Sequence, residues 1–128
     1  MIIQNPVRQN LADAFDAYVN GGTAASEIKF ETVGDTALVT ITLNNPAFGN
    51  ASTAGVLTLD VTPALSGTAT AAGDTVQASI FTVETTPEKI CEFTVNDTGT
   101  PEITISNNTI AVSDVVQLTS LTVTMPAS

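Results

Sequence analysis

The sequence contains no histidine, no tryptophan and one cysteine. Without histidine, the chain lacks the usual general base, the commonest metal ligand in proteins and the frequent partner of a catalytic serine or cysteine. A single thiol cannot form a disulfide within the chain. We therefore expect a protein that is not an enzyme, with no catalytic residue, no cofactor and no metal site.

Basic residues are also scarce, since three Lys and Arg stand against thirteen Asp and Glu and the net charge is −10. Such a charge repels phosphate backbones and anionic lipid headgroups over a Debye length. We therefore expect neither nucleic acid nor a membrane as a partner. The first ten residues lack the positive charge and apolar core of a signal peptide, and no 18 apolar residues run together, so we expect synthesis in a cytoplasm.

The acidic residues are dispersed along the chain rather than clustered. Aspartates fall at predicted turns and strand ends, where their side chains typically accept hydrogen bonds from nearby backbone amides: Asp35, Asp60, Asp74, Asp97 and Asp114. No calcium-loop pattern is present. A carboxylate pair for glycoside hydrolysis could be drawn from Glu84, Glu88 and Glu92, but one Tyr and five Phe offer few platforms for a sugar.

The N-terminal segment predicts one amphipathic helix over residues 6–19. Asn5 is expected to cap it, Pro6 suits the first helical position, and Asn20-Gly21-Gly22 is expected to end it. The expected core-facing residues recur at helical spacing: Val7, Leu11, Ala14, Phe15 and Tyr18. The opposite face is expected to point to solvent: Arg8, Ala12, Asp13 and Asp16.

After Thr23 the apolar period changes to two, which predicts strands. A hairpin with a two-residue turn at Gly34-Asp35 is expected, between a strand that carries Ile28 and Phe30 and a strand that carries Val39 and Ile41. Further strands are predicted at Val56–Val61, Thr75–Glu84, Lys89–Val95, Glu102–Ile105, Thr109–Val112 and Val115–Met125. The small residues from Ala64 to Ala72 predict a loop, and Ala72-Gly73-Asp74 predicts a turn.

Two details of the strands bear on the core. Cys91 alternates in register with Phe93 and Val95, so we expect a buried, inert thiol. In the last strand, Leu118 and Leu121 have opposite parity, and a bulge near Thr119 or Ser120 would place both on the core.

Many short strands without helices between them favour a mainly β fold. We expect an antiparallel β-sandwich, jelly-roll-like, with one short N-terminal amphipathic helix. A chain of 128 residues has the usual size of one domain. We divide the single domain of residues 1–128 into an N-terminal arm (1–4), the helix (6–19) and the sandwich (27–126).

Three segments carry a family resemblance: NLADAFDAYVNGG, NNPAFGNASTAGVLTLD and VVQLTSLTVTMPAS. Their shared motifs are Asn20-Gly21, Pro46-Ala47-Phe48-Gly49, Gly67-Thr68-Ala69 and the strand Leu121–Pro126. In these the chain resembles small virion structural proteins of tailed bacteriophages, along nearly its whole length. That family often has an aromatic-Arg pair after the Gly-Thr-Ala stretch, where this chain reads VQASIFTVE, so we assign no role tied to that arginine.

The resemblance implies a capsid decoration or cement protein on the head surface of a virion, with the major capsid protein as its partner. Copies of the chain are expected to associate as a dimer or trimer on that shell, because so apolar a chain is expected to bury surface between copies. Candidate partner contacts are Ile2 and Ile3, which no periodic face explains, and Pro46 and Phe48. The alternative for Phe48 is an ordinary place in the core.

Other functions stay open at this point. A carbohydrate-binding or adhesin-type β-sandwich on a virion or cell surface belongs to a different class, although sparse aromatics count against it. A tail or connector component is the nearest structural rival. A small hydrolase is disfavoured by the missing histidine.

Overall fold

A computed structural model describes all 128 residues and is mainly β, with 40% strand and 12% helix. The elements in chain order are α1 (Asn5–Val19), β1 (Ala24–Glu31), β2 (Ala37–Thr42), β3 (Val56–Thr58), β4 (Leu65–Thr68), β5 (Gly73–Asp74), β6 (Gln77–Val83), β7 (Lys89–Asn96), β8 (Ile103–Thr104), β9 (Thr109–Ile110), β10 (Val115–Leu118) and β11 (Thr122–Thr124). The predicted fold class, a β-sandwich-like fold with one N-terminal helix, is confirmed.

The main layer is a five-stranded sheet in the order β2-β1-β6-β7-β8. Its first three pairings are antiparallel, as predicted, and only the short β7·β8 pair is parallel. Alternate residues of β1 and β6 face the core and pair across the strands, including Ile28 with Ile80 and Phe30 with Ala78. The positions between them are mostly half-buried, although Glu31 and Ser79 on the outer face are buried as well.

The second layer consists of three short antiparallel ladders, β10·β4, β11·β3 and β5·β9. The first of them lies closely on β2. A Cβ atom added to Gly67 would stand 2.5 Å from the carbonyl oxygen of Thr40 and 3.0 Å from the side chains of Val39 and Ile41. The two layers therefore meet through a glycine, at a separation that no side chain could occupy.

The β1–β2 hairpin is confirmed, but its turn differs from the prediction. The Asp35 amide donates to the carbonyl of Thr32 at 3.0 Å, so Val33 and Gly34 are the central turn residues. Asp35 follows in the left-handed conformation with φ 62°. This is the three-residue hairpin loop in which a type I turn precedes a left-handed residue, rather than a two-residue turn at Gly34-Asp35.

Two strands lie where the sequence predicted loops. β4 occupies part of the small-residue stretch Ala64–Ala72, and β5 falls in the predicted turn at Gly73-Asp74. The prediction was wrong because small residues are also what a strand requires where another layer approaches its backbone. Most other predicted strands are confirmed with shorter bounds.

The irregular C-terminal segment divides into two strands. β10 pairs with β4 and β11 pairs with β3, and the three residues between them belong to neither. Leu118 and Leu121 are both buried, which confirms that both parities reach the core. The chain achieves this by changing partner strands rather than by a bulge within one strand.

The helix exists at the predicted place, but it buries a different face. Ala12 and Val19 are its buried residues, and Phe15 packs on the edge of the core. Its capping residue is Gln4, which makes no side-chain hydrogen bond, so the expected cap at Asn5 is wrong. Pro6 lies in the first turn and the helix ends at Asn20, both as predicted.

Polar contacts join the two ends of the helix to distant parts of the chain. Asn20 accepts the Ala47 amide and donates to the Asp16 carbonyl, each at 2.9 Å. At the other end, Arg8 donates through Nε and Nη2 to the Met125 carbonyl at 3.1 and 2.9 Å. The Ile3 amide donates to the Ala127 carbonyl at 2.7 Å, so the two ends of the chain lie side by side.

Candidate functional site

The structure separates the four predicted contact residues. Ile2 is 79% exposed, Pro46 is exposed, and Ile3 is half-buried. Phe48 is only 2% exposed, and its ring lies 6.2 Å from the ring of Phe15. The alternative placement of Phe48, in the core, is the one that the structure shows, so its ring is not available to a partner.

A continuous apolar surface runs along the outer side of α1. We call Val7, Leu11, Ala14 and Tyr18 the helix stripe; Val7 is 51%, Leu11 43% and Tyr18 52% exposed, and Ala14 is exposed as well. The prediction placed these residues in the core, which is wrong. They are separated by four, three and four residues, which is the spacing of residues that pack between two helices. This spacing is the feature of the sequence from which a docking surface could have been predicted. Met1, in the N-terminal arm, is 97% exposed and is a further exposed apolar side chain of the N-terminal segment.

An acidic recess adjoins the C-terminal half of the helix stripe. Its walls are formed by Ala14, Ala17, Tyr18 and Gly21 on one side and by Thr82, Glu84 and Glu88 on the other. We call it the Glu84–Glu88 recess. Since Ala14 and Tyr18 belong to both features, the apolar stripe and the acidic recess form one surface.

Thr82 and Tyr18 hold the two glutamates of this recess in place. Its buried hydroxyl donates to Glu84 Oε1 at 2.7 Å and accepts the Glu88 amide at 3.0 Å. The Tyr18 hydroxyl in turn donates to Glu88 Oε2 at 2.5 Å. Both carboxylates are exposed to solvent and held in place by short contacts.

The hydrogen bond from Tyr18 also affects the ionisation of its phenol. The bond to Glu88 raises the pKa of Tyr18, and the negative charges of Glu88 and Glu84 raise it further. Both effects oppose a phenolate beside a carboxylate. Tyr18 therefore stays a neutral donor at physiological pH, and the negative charge of the recess is that of its two glutamates.

A second acidic group lies elsewhere, on the outer face of the main sheet. Lys89 Nζ stands 3.0 Å from Glu92, 3.4 Å from Asp35 and 3.8 Å from the buried Glu31. The hydrogen bond to Glu92 is the main cause that raises the pKa of Lys89, so its ammonium group stays charged. The third carboxylate considered for hydrolysis, Glu92, is thus paired with Lys89 and is not a lining residue of the recess.

Two of the five turn aspartates, Asp60 and Asp114, accept nearby backbone amides as predicted, whereas Asp35 and Asp74 bind side chains and Asp97 accepts neither. Asp60 accepts the Thr62 amide at 3.0 Å and Asp114 accepts the Ala111 amide at 2.9 Å. Asp74 accepts the Thr109 hydroxyl at 2.8 Å across the β5·β9 ladder. No three acidic or thiol groups of the chain gather closely enough to hold a metal ion.

Cys91 lies on the core side of β7 in register with Phe93 and Val95, and it is half-buried. Burial raises the pKa of its thiol from 9.0 to about 11. Because the thiolate is the reactive form, we expect iodoacetamide at pH 8 to alkylate the folded chain about a hundredfold more slowly than the chain unfolded in guanidinium. Mass spectrometry of timed samples measures both rates. Equal rates would show that Cys91 is accessible and ionised normally.

Comparison of the chain with protein-family models, with curated proteins and with solved structures gave no match. The one helix, at 15 residues, is neither long nor apolar enough to span a membrane.

Proposed function

We propose that the chain is a non-enzymatic structural protein of a tailed-bacteriophage virion, a decoration or cement protein that binds and stabilises the head surface. Its partner is the major capsid protein, and copies of the chain associate there as dimers or trimers. It is made in the host cytoplasm and resides on the virion. The proposal rests on the family resemblance of the three sequence segments and on one structural observation, the exposed apolar surface at the N-terminus.

That surface consists of the helix stripe and the arm residues Met1 and Ile2. So many exposed large apolar side chains near one end of a chain of net charge −10 mark an interaction surface, because water disfavours their exposure. Most of the carboxylates, by contrast, are tied to amides, hydroxyls or lysine, which offers no support for catalysis. On a shell, associated copies bind at several sites at once, so that weak individual contacts give strong overall binding.

A tail or connector position is compatible with the same surface and differs only in the particle part that is bound. The carbohydrate-binding or adhesin alternative has one observation in its favour, since Tyr18 beside Glu84 and Glu88 combines an aromatic ring with hydrogen-bonding carboxylates. Binding to a glycan array that is lost in Tyr18→Ala would favour this alternative over the head protein.

Deletion of Met1–Gln4 tests the proposal on the phage that encodes the chain. The deletion removes two exposed apolar side chains from the docking surface, and we expect the occupancy of heads to fall about tenfold or more, corresponding to about 2–4 kcal/mol of apolar contact per copy. Cosedimentation with undecorated heads measures occupancy, and circular dichroism checks that the sandwich remains folded. Val33→Ala, at an 86% exposed position on the hairpin turn, is the control.

One result would count against the proposal, and another would change only which residues make the contact. If the intact chain binds tails but not heads, the tail or connector position replaces the head surface. If the truncated chain decorates heads as fully as the intact one, the arm makes no contact and the helix stripe or the loop at Pro46 carries the binding.

A further inference from the structure

The helix stripe presents a narrow apolar ridge to solvent. Val7 and Tyr18 are eleven residues apart, so the ridge is about 16 Å long at the rise of an α-helix. Its 4-3-4 spacing suits packing against another helix of about three turns. Its three large side chains stay about half exposed, because the helix rests on the sandwich through Ala12 and Val19, about 100° further round its axis.

The negative charge at one end of the helix stripe indicates which side chains a partner must carry. Glu84 and Glu88 border the ridge at Tyr18, and no cation of the chain forms an ion pair with either of them. Their positions are fixed by Thr82 and Tyr18. An apolar ridge that ends in two fixed carboxylates is complementary to an apolar segment that ends in a Lys or Arg side chain.

The Lys and Arg side chains of a second copy are already engaged within their own chain. Arg8 is engaged by the Met125 carbonyl and Lys89 by its three carboxylates, while Lys29 lies 4.0 Å from Glu27 and over the ring of Phe81. A second copy also brings another ten negative charges to the contact. The occupant of this surface is therefore a different protein.

We propose that the helix stripe and the Glu84–Glu88 recess together bind an amphipathic helix of another protein, with its apolar face on Leu11 and Tyr18 and a Lys or Arg side chain between the two glutamates. This inference deepens the proposed function, on which it rests, because it assigns the chemistry of the segment by which the shell protein would be recognised. It also separates the shell contact from any contact between copies of the chain.

Matched charge variants test the inference. The probes are two synthetic amphipathic peptides with the same leucine face, one with Lys and one with Glu at the polar positions, and fluorescence anisotropy measures their binding to the full chain. We expect the Lys peptide to bind and the Glu peptide not to bind. Glu84→Gln/Glu88→Gln should weaken binding by about tenfold or more, since Gln keeps the shape and removes the charge.

Two controls separate the site from general attraction to an acidic protein. Glu27→Gln/Asp97→Asn removes the same net charge away from the recess and should change binding by less than about threefold. Leu11→Gln should weaken binding by about tenfold, whereas Val33→Gln, at the hairpin turn, should not. Circular dichroism checks the folding of every variant.

The same variants on undecorated heads distinguish the two proposals. Weakening of head binding by both Leu11→Gln and the Glu84/Glu88 pair would support the inference and the function together. Head binding that is insensitive to all of them would overturn the inference and leave the function standing, and absence of head binding by the intact chain would overturn the function. Equal loss with both charge pairs, or a dimer in sedimentation velocity that Leu11→Gln dissociates, would also overturn the inference.

Discussion

Replacing Phe48 with alanine is expected to lower the free energy of unfolding by about 3–5 kcal/mol, the usual cost of removing a buried aromatic ring. Phe48 is fully enclosed, packs on Phe15 beneath the helix, and pairs through its backbone with Leu59. The cavity that it leaves would lie between the helix and the second layer. Since the whole stability of a small domain is about 5–15 kcal/mol, urea denaturation should show a large fall in the midpoint.

Phe81→Ala is the matched control for this ring. Phe81 is half-buried on the outer face of the main sheet, where the ammonium group of Lys29 lies 4.8 Å from the ring centroid. Its removal opens no enclosed cavity, so we expect a loss of about 1–2 kcal/mol at most. If Phe48→Ala unfolds at the same urea concentration as the intact chain, Phe48 is not a core residue and its ring becomes a partner contact again.

Gly67→Val is expected to lower the free energy of unfolding by about 3 kcal/mol or more, or to prevent folding. The first added carbon would stand 2.5 Å from the Thr40 carbonyl oxygen, which belongs to the backbone of β2 and cannot rotate away. Relief would require β4 and β2 to separate, and both strands contribute buried residues to the core. Thermal unfolding followed by circular dichroism measures the loss.

Gly49→Val serves as the control for Gly67. A Cβ atom at Gly49 meets nothing within 4 Å, and its φ is not in the left-handed region, so the free energy of unfolding should change by less than about 0.5 kcal/mol. A similar effect at both positions would show that the loss reflects valine in place of glycine generally. It would then say nothing about the distance between the layers.

Much of the main sheet could be predicted from the sequence because its residues report directly on burial. Ile28 and Phe30 alternate with charged residues and Val39 and Ile41 are separated by Thr40, an order that a strand with a covered face satisfies. The second layer could be predicted only in part. Its strand β4 reads Leu-Ser-Gly-Thr, and the short side chains that made it resemble a loop are required by the approach of β2.

The helix shows why the site was harder to predict than the fold. Val7, Leu11 and Tyr18 form the more apolar face, and a rule that buries the more apolar face places them inside. The sandwich instead receives Ala12 and Val19. Helical spacing identifies which residues share a face, but it does not distinguish a face that meets its own sheet from one that meets another molecule. The acidic recess was also missed, because Ala14 and Glu88 come together only through the tertiary fold.

The hydrogen bonds between Ile3 and Ala127 and between Arg8 and Met125 hold the first and last residues of the chain close together. A short linker between its two ends would span little distance, so new ends could be opened at an exposed turn such as Asp97–Thr100 with the layers kept in register. In such a circular permutant the N-terminus of the helix would be joined to the C-terminal segment by the linker, and no free chain end would lie there. Any peptide attached to the existing ends, by contrast, emerges next to the arm residues Met1 and Ile2, which the proposed function places at the partner contact.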